Sequence, residues 1–118
     1  MYQKLTKAEE ELMQYFWDHG SNTVSAVIEL MPEEKPPHST ISSLARILEK
    51  KGFLTHKAYG RTYEYIPVIT KKAYTKFSIK QLVRNYFQGS ASDLVSFIVE
   101  EEDLSLADLS IPKIKNDE

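Results

Sequence analysis

Short hydroxyl side chains and isolated basic side chains are the groups in this sequence best suited to recognising another surface. The first set falls within residues 38–52 and comprises Ser39, Thr40, Ser42, Ser43, Arg46 and Lys50. The second set surrounds a glycine and comprises Lys57, Tyr59 and Arg61. Hydroxyls donate and accept hydrogen bonds, and arginine offers a planar fork of donors. Because small side chains also allow close approach, the first set predicts a helix that lies against a hydrogen-bonding surface.

Catalytic and metal-binding chemistry is not indicated by the other polar residues. Cysteine is absent, which excludes thiolate catalysis and Cys-ligated metal centres. His19, His38 and His56 lack the close spacing of metal ligands, and the carboxylate runs at 9–11 and 100–103 lack a partner pattern for acid–base catalysis. The sequence contains no phosphate-binding loop or nucleophile elbow. We therefore expect a protein that is not an enzyme and that uses no cofactor and no metal.

Three helices are predicted to position the first set. Thr6 and Glu9 have the spacing of a capping box at the start of the first helix, which ends near Gly20. The second helix runs from about residue 24 and is stopped by Pro32. In the third helix, residues 38–52, an apolar stripe faces a core and consists of Ile41, Leu44, Ala45 and Leu48. The hydroxyl and basic side chains occupy the opposite side of this helix.

A β-hairpin is predicted directly after the third helix. Residues 53–58 and 62–66 are rich in aromatic and β-branched residues and flank the loop Tyr59-Gly60-Arg61. Pro67 either ends the second strand or restricts it to a sheet edge. Three helices followed by a hairpin indicate a mainly α fold with a small β-hairpin wing. We expect a winged helix-turn-helix domain over residues 1–70.

The remaining residues, 71–118, are predicted to form a helical dimerisation region with a short tail. A long helix is expected over about residues 71–88, a short apolar helix after Ser90, and a further one from about residue 104 to Pro112. The region carries many large apolar side chains: Phe77, Leu82, Phe87, Leu94, Phe97, Ile98, Leu104 and Leu109. Symmetric pairing of two chains would bury them, and packing against the N-terminal domain is the alternative.

The charge is divided into three blocks that the net charge of −2 conceals. Residues 1–36 carry three lysines and seven acids, which gives a net charge of −4. Residues 37–72 carry five lysines, two arginines and two acids, net +5, and residues 73–118 carry four lysines, one arginine and eight acids, net −3. The basic block coincides with the third helix and the wing, as contact with nucleic acid phosphates requires. Two interpretations stay open: a DNA-binding protein, or a winged-helix module that binds only other proteins.

An ordered set of residues across positions 5–70 resembles the penicillinase-repressor family. The set comprises Leu5-Thr6-Lys7-Ala8-Glu9, Trp17-Asp18, Thr40-Ile41, Leu44, the run Leu48-Glu49-Lys50-Lys51-Gly52-Phe53-Leu54, and the aromatic wing that follows. The resemblance implies a winged-helix repressor that dimerises through C-terminal helices and binds a palindromic DNA operator. By position, it also implies that Thr40, Ser43 and Arg46 face the major groove and that Lys57 and Arg61 lie on the wing.

Three departures from the family bear on function. Ile47 stands where many relatives have a basic residue, so we expect a different base preference. Some relatives are inactivated by cleavage of an Asn-Phe bond, and a membrane sensor protease is therefore a candidate partner. This chain has Phe97-Ile98 at the nearest position, which lacks that pair. The copper-responsive branch uses a C-terminal cysteine cluster, and this chain has no cysteine.

The cellular location is predicted from two features of the sequence. No apolar run is long enough to span a membrane. The first residues lack the apolar stretch of a signal peptide. We therefore expect a cytoplasmic protein with no membrane insertion.

Overall fold

The computed structural model describes residues 3–101, which contain five helices and three short strands. In chain order these elements are α1 (Lys7–His19), β1 (Asn22–Thr23), α2 (Val24–Leu30), α3 (His38–Lys50), β2 (Leu54–Tyr59), β3 (Thr62–Pro67), α4 (Lys71–Tyr86) and α5 (Ala91–Glu100). The chain divides into two compact units, residues 1–71 and 72–118. The predicted fold class, mainly α with a small β-hairpin, is confirmed.

Local sequence signals set the ends of the first helices. The backbone N–H of Glu9 donates to the Thr6 hydroxyl at 3.2 Å, and the backbone N–H of Thr6 donates to the Glu9 carboxylate at 2.9 Å, which completes the predicted capping box. Gly20 ends α1 with a φ of +79°, a conformation that favours glycine. The Thr23 hydroxyl accepts from the N–H of Ala26 and caps α2.

The sheet has three antiparallel strands in the order β1-β3-β2, whereas the sequence predicted only the hairpin. The additional strand is two residues long, and its Asn22 lies opposite Tyr65. Tyr59 pairs with Thr62, so the hairpin loop is shorter than predicted and has Gly60 at a φ of +63°. Pro67 ends β3, which is the central strand, so the alternative of an edge strand was wrong. The proline is tolerated because β1 pairs only with residues 64 and 65.

The core of the first unit is formed by side chains from all three helices and from the sheet. Its fully buried members are Leu12, Met13, Phe16, Val27, Ala45, Leu48 and Phe53. The indole N–H of Trp17 donates to the carbonyl of Ile69 at 2.9 Å and so ties α1 to the segment after β3. On α1, the alanine at position 8 is exposed while its charged neighbour Glu9 is buried.

The second unit contains the rest of α4 and all of α5. Tyr74, Val83 and Leu94 are buried, and α4 ends at Tyr86, two residues before the predicted end. Gln88 and Gly89 both have positive φ angles, which breaks the helix before Ser90 caps α5. The predicted last helix, with Leu104 and Leu109, and the tail lie outside the described residues. Over residues 3–101, every helix falls short of the length and apolar character needed to cross a membrane.

Candidate nucleic-acid interface

One side of α3 is buried and the other is open to solvent. Ile41, Ala45 and Leu48 are buried against the core, whereas Leu44, predicted on the same stripe, is only half-buried. The exposed side carries most of the first predicted set, and we call it the hydroxyl face: Ser39, Thr40, Ser43, Arg46 and Lys50. The helix therefore presents small hydroxyls and two cations to solvent while it is held from behind by apolar packing.

The start of α3 leaves its first turn accessible to a partner. Pro37 is the N-cap residue and makes no side-chain cap, and the first turn has no acidic residue. Backbone N–H groups at a helix N-terminus carry a partial positive charge that favours phosphate oxygens. Ser42 is half-buried, and its hydroxyl lies 3.2 Å from Nδ1 of His38. The beginning of the helix therefore offers both backbone and side-chain donors.

Arg46 has an exposed guanidinium that is held lightly in place. One of its N–H groups donates to the Ser43 hydroxyl at 3.4 Å, which is one helical turn away. This hydrogen bond is long and exposed to solvent, so it is weak. It orients the guanidinium, and it can be replaced by a stronger bond to an acceptor on a partner. Arg46 can therefore turn its planar fork of donors to an external partner.

The second predicted set lies on the β2–β3 hairpin. Lys57, Tyr59 and Arg61 are all exposed, and the exposed fraction of Tyr59 is 57%. Side chains alternate along a strand, so Lys57 and Tyr59 share one sheet face and His56 lies on the other. The His56 face is the one that contacts α3. Lys57 and Tyr59 therefore lie on the face of the hairpin that points away from α3. They do not form one flat surface with the polar residues of α3.

His56 connects α3 to the hairpin. Nδ1 of His56 lies 2.7 Å from Oε2 of Glu49, and its ring stacks on Tyr63 with centroids 4.0 Å apart. Glu49 is the only carboxylate in the α3 sequence, and this contact directs it toward the hairpin. Burial, and after it the charge of Glu49, raises the pKa of Tyr65. The hydroxyl face is left without a carboxylate of its own helix.

An ion pair removes Lys51 from the cations available to a partner. Its ammonium group lies 2.7 Å from Oε1 of Glu9. Burial by itself raises the pKa of Glu9, but the hydrogen bond and charge of Lys51, together with the bonds to Thr6, outweigh burial, and the pKa is lowered. No local pattern predicts this pair, because the two residues are 42 positions apart in the sequence.

The predicted dimerisation residues within the described chain differ in exposure. Leu94 is buried, and four others are half-buried, namely Phe77, Leu82, Phe87 and Ile98. Phe97 is 40% exposed, and its ring lies 5.7 Å from that of Phe87. Val95 and Val99 are also exposed on α5. The helix therefore presents apolar area to solvent in the single chain.

The acidic and histidine side chains of the described residues are not arranged as metal ligands. Across residues 3–101, no three histidine, aspartate or glutamate side chains lie close enough together to share an ion. The paired groups that do occur, such as Glu49 with His56, contact each other directly. The exposed hydroxyl face and the hairpin are the candidate site.

Three helices, a three-stranded sheet and an exposed face on the third helix define a winged helix. A solved structure agrees: the DNA-binding domain of the repressor BlaI, determined in solution, superposes with a TM-score of 0.53 at 31% identity, covering 63% of this chain and 94% of that one. The profile of the penicillinase repressor family matches residues 5–113. The chain belongs to the penicillinase repressor family, which confirms the resemblance seen in the sequence.

Two curated relatives illustrate the family. The penicillinase repressor of Bacillus licheniformis is 29% identical over 103 residues, which cover 86% of this chain and 80% of the relative. The methicillin resistance regulatory protein MecI of Staphylococcus aureus is 27% identical over 103 residues, with 86% and 84% covered. These relatives are regulators by name, and the family is one of repressors rather than enzymes, as the sequence predicted.

Proposed function

We propose that this chain is a homodimeric, DNA-binding transcriptional repressor that reads a palindromic operator. The observation that carries the proposal is the hydroxyl face of α3, which is exposed while Ile41, Ala45 and Leu48 on the opposite side are buried. A winged helix places its third helix in the major groove by that exposed side. The relatives named as repressors support the same function.

Base recognition is assigned to three residues of the hydroxyl face, Thr40, Ser43 and Arg46. Arginine makes its best paired hydrogen bonds with O6 and N7 of guanine. Threonine and serine hydroxyls bond to several base edges, and the Thr40 methyl group can contact a thymine methyl. All three side chains are exposed and lie in the N-terminal three turns of α3, the part that enters the groove in such domains.

Backbone contact is assigned to the flanks of that face and to the hairpin. The proposed phosphate and sugar contacts are Ser39, Ser42, Lys50, Lys57, Tyr59 and Arg61. Cations near phosphates release counterions from DNA, which makes this part of the affinity independent of sequence and sensitive to salt. Because Lys57 and Tyr59 face away from α3, we expect the hairpin to reach a phosphate strand beside the groove that α3 enters.

Dimerisation is assigned to residues 71–118, and DNA binding to residues 1–70. The apolar side chains of α5 that remain exposed, Val95, Phe97 and Val99, support a buried interface between two copies. A symmetric pair would place two α3 helices about 34 Å apart, or a multiple of this, to meet successive major grooves. Such symmetry in the protein requires a palindromic operator.

The setting of this activity follows from its target. A repressor must reach operator DNA, and we expect it to act in the cytoplasm. A membrane sensor protease that cleaves the repressor is a candidate mechanism for its release from DNA. The bond between Phe97 and Ile98 in α5 is the position in this chain nearest to the cleaved Asn-Phe bond of some relatives. That bond lies inside a helix, so cleavage there requires local opening of α5.

The test is DNA binding by the full chain across a series of salt concentrations. A duplex selected by the protein from a random pool is compared with a scrambled duplex of the same length. We expect affinity for the selected duplex to exceed that for the scrambled one by at least about 10³-fold, and both affinities to fall steeply with salt. Weak binding that ignores both sequence and salt would instead favour a winged-helix module that binds only proteins.

A further inference from the structure

Ile47 is a large aliphatic side chain that α3 leaves in solvent. Its exposed fraction is 41%, while Leu48 beside it is fully buried. The helix is intact at this point, since the N–H of Lys51 donates to the carbonyl of Ile47 at 2.9 Å. The regular helix therefore directs the Ile47 side chain away from the core, and the side chain stays exposed to solvent.

Ile47 lies between two members of the hydroxyl face, Thr40 and Ser43, toward the Thr40 side of that face. At 3.6 residues per turn, it lies about 40° around the helix from Ser43 and about 20° from Thr40. Arg46 and Lys50 complete its polar surroundings. Its apolar neighbour Leu44, one helical turn earlier, is half-buried, so the exposed apolar area at Ile47 is too small to dock another protein, which needs a continuous apolar patch.

The major groove of DNA offers one apolar group, the 5-methyl of thymine, among hydrogen-bonding atoms. We propose that Ile47 reads a thymine of the operator by packing on that methyl group, an inference that rests on the proposed DNA-binding function. Ile47 would then be a specificity-determining residue that adds an apolar contact to the hydrogen bonds of Ser43 and Arg46. The contact would select thymine over cytosine at one position in each half-site.

The experiment replaces thymines of the selected duplex with deoxyuridine, one symmetric pair at a time, so that only the methyl groups are lost. At one symmetric pair of thymines, we expect the replacement to weaken binding of the wild-type full chain by about three- to fivefold for each methyl group removed. Ile47→Ala should bind the unmodified duplex more weakly and should be insensitive to deoxyuridine at that same pair. Ile47→Val, which keeps part of the contact, should retain part of the sensitivity.

The matched control is Leu30→Ala, because Leu30 is an aliphatic side chain on α2 with a similar exposed fraction, 45%. It should keep the wild-type response to deoxyuridine at every position. Equal responses of wild type and Ile47→Ala at every thymine would overturn the inference and leave sequence-selective binding intact. If no duplex is selected from the pool, the proposed function itself fails and the inference fails with it.

Discussion

The ammonium group of Lys51 lies 2.7 Å from Oε1 of Glu9 and joins the end of α3 to the first turn of α1. The same carboxylate oxygen accepts the backbone N–H of Thr6 at 2.9 Å, so one atom both caps α1 and binds α3. The side chains of Glu9 and Lys51 are only 6% and 20% exposed. This pair holds the proposed reading helix at a fixed position on its scaffold.

The ion pair makes stability depend on pH. Burial alone raises the pKa of Glu9, but Lys51 and Thr6 together lower it below its ordinary value of 4.5. A carboxyl group with a lowered pKa stabilises the folded state above that ordinary value, and this contribution is lost as the pH falls through the folded pKa. The difference in free energy of unfolding between wild type and Glu9→Gln should therefore be largest near neutral pH and shrink below about pH 4.5.

Urea denaturation of both proteins from about pH 3 to about pH 7 measures that difference. Lys51→Met serves as the partner variant, because it leaves the buried Glu9 carboxylate without its cation. It should cost about 1–3 kcal/mol near neutral pH, and adding Glu9→Gln should recover part of the loss. A difference between wild type and Glu9→Gln that stays constant with pH would contradict the assignment.

Arg46→Ala should weaken binding to the selected duplex by about 1–3 kcal/mol and relax the preference at one base pair. The reason is that a paired hydrogen bond to a guanine edge is lost while phosphate contacts remain. Affinity is measured on the selected duplex and on single-base variants of it. Arg84→Ala, an exposed arginine on α4, is the control and should leave the base preference unchanged. If Arg46→Ala lowers the affinity for every duplex by the same factor, Arg46 does not contact a base.

Lys57→Ala should weaken binding to all duplexes alike and reduce the slope of log affinity against log salt by about 1. Lys57 is exposed on β2 and lies opposite Glu64 in the ladder, so its removal leaves the core intact. Lys7→Ala on the exposed surface of α1 is the matched control, and its salt slope should equal that of wild type. An unchanged slope for Lys57→Ala would exclude a phosphate contact by the hairpin.

If the chain forms the proposed dimer, Phe97→Asp should convert it into monomers and weaken operator binding strongly, because the substitution places a charge within the proposed interface of α5. Ser96→Asp is the matched control, since it adds the same charge at the neighbouring exposed position. Solution mass is measured by light scattering at low micromolar concentration. If Phe97→Asp has the mass of wild type, the interface lies elsewhere or the protein is already a monomer.

Short-range patterns in the sequence predicted the elements of the first unit well. The Thr6–Glu9 capping box and the position of the turn at Gly60 depend on residues a few positions apart, so the sequence predicts both, although it overestimates the length of the loop. The helical spacing of Ile41, Ala45 and Leu48 predicted which side of α3 is exposed. An amphipathic helix buries its apolar stripe, so the opposite side faces solvent.

Long-range partners were missed for a physical reason. Strand β1 has only two residues and exists because Asn22 and Thr23 lie beside Tyr65 and Glu64, which are more than 40 positions away. The contact of His56 with Glu49, and with it the choice of which hairpin face turns toward α3, depends on how the hairpin folds back. Tertiary contacts of this kind leave no periodic pattern, and charge counts alone cannot show which cations are already paired.

Amide chemical shifts of the full chain report residue by residue whether the hydroxyl face of α3 enters DNA. Titration with the selected duplex should perturb residues 39–50 most strongly, followed by the hairpin at 57–61, and leave the exposed side of α1 unchanged. Titration with the scrambled duplex should perturb the hairpin while the shifts in α3 stay smaller. Perturbation centred on α1, with Thr40, Ser43 and Arg46 unchanged, would show that a surface other than the hydroxyl face binds DNA.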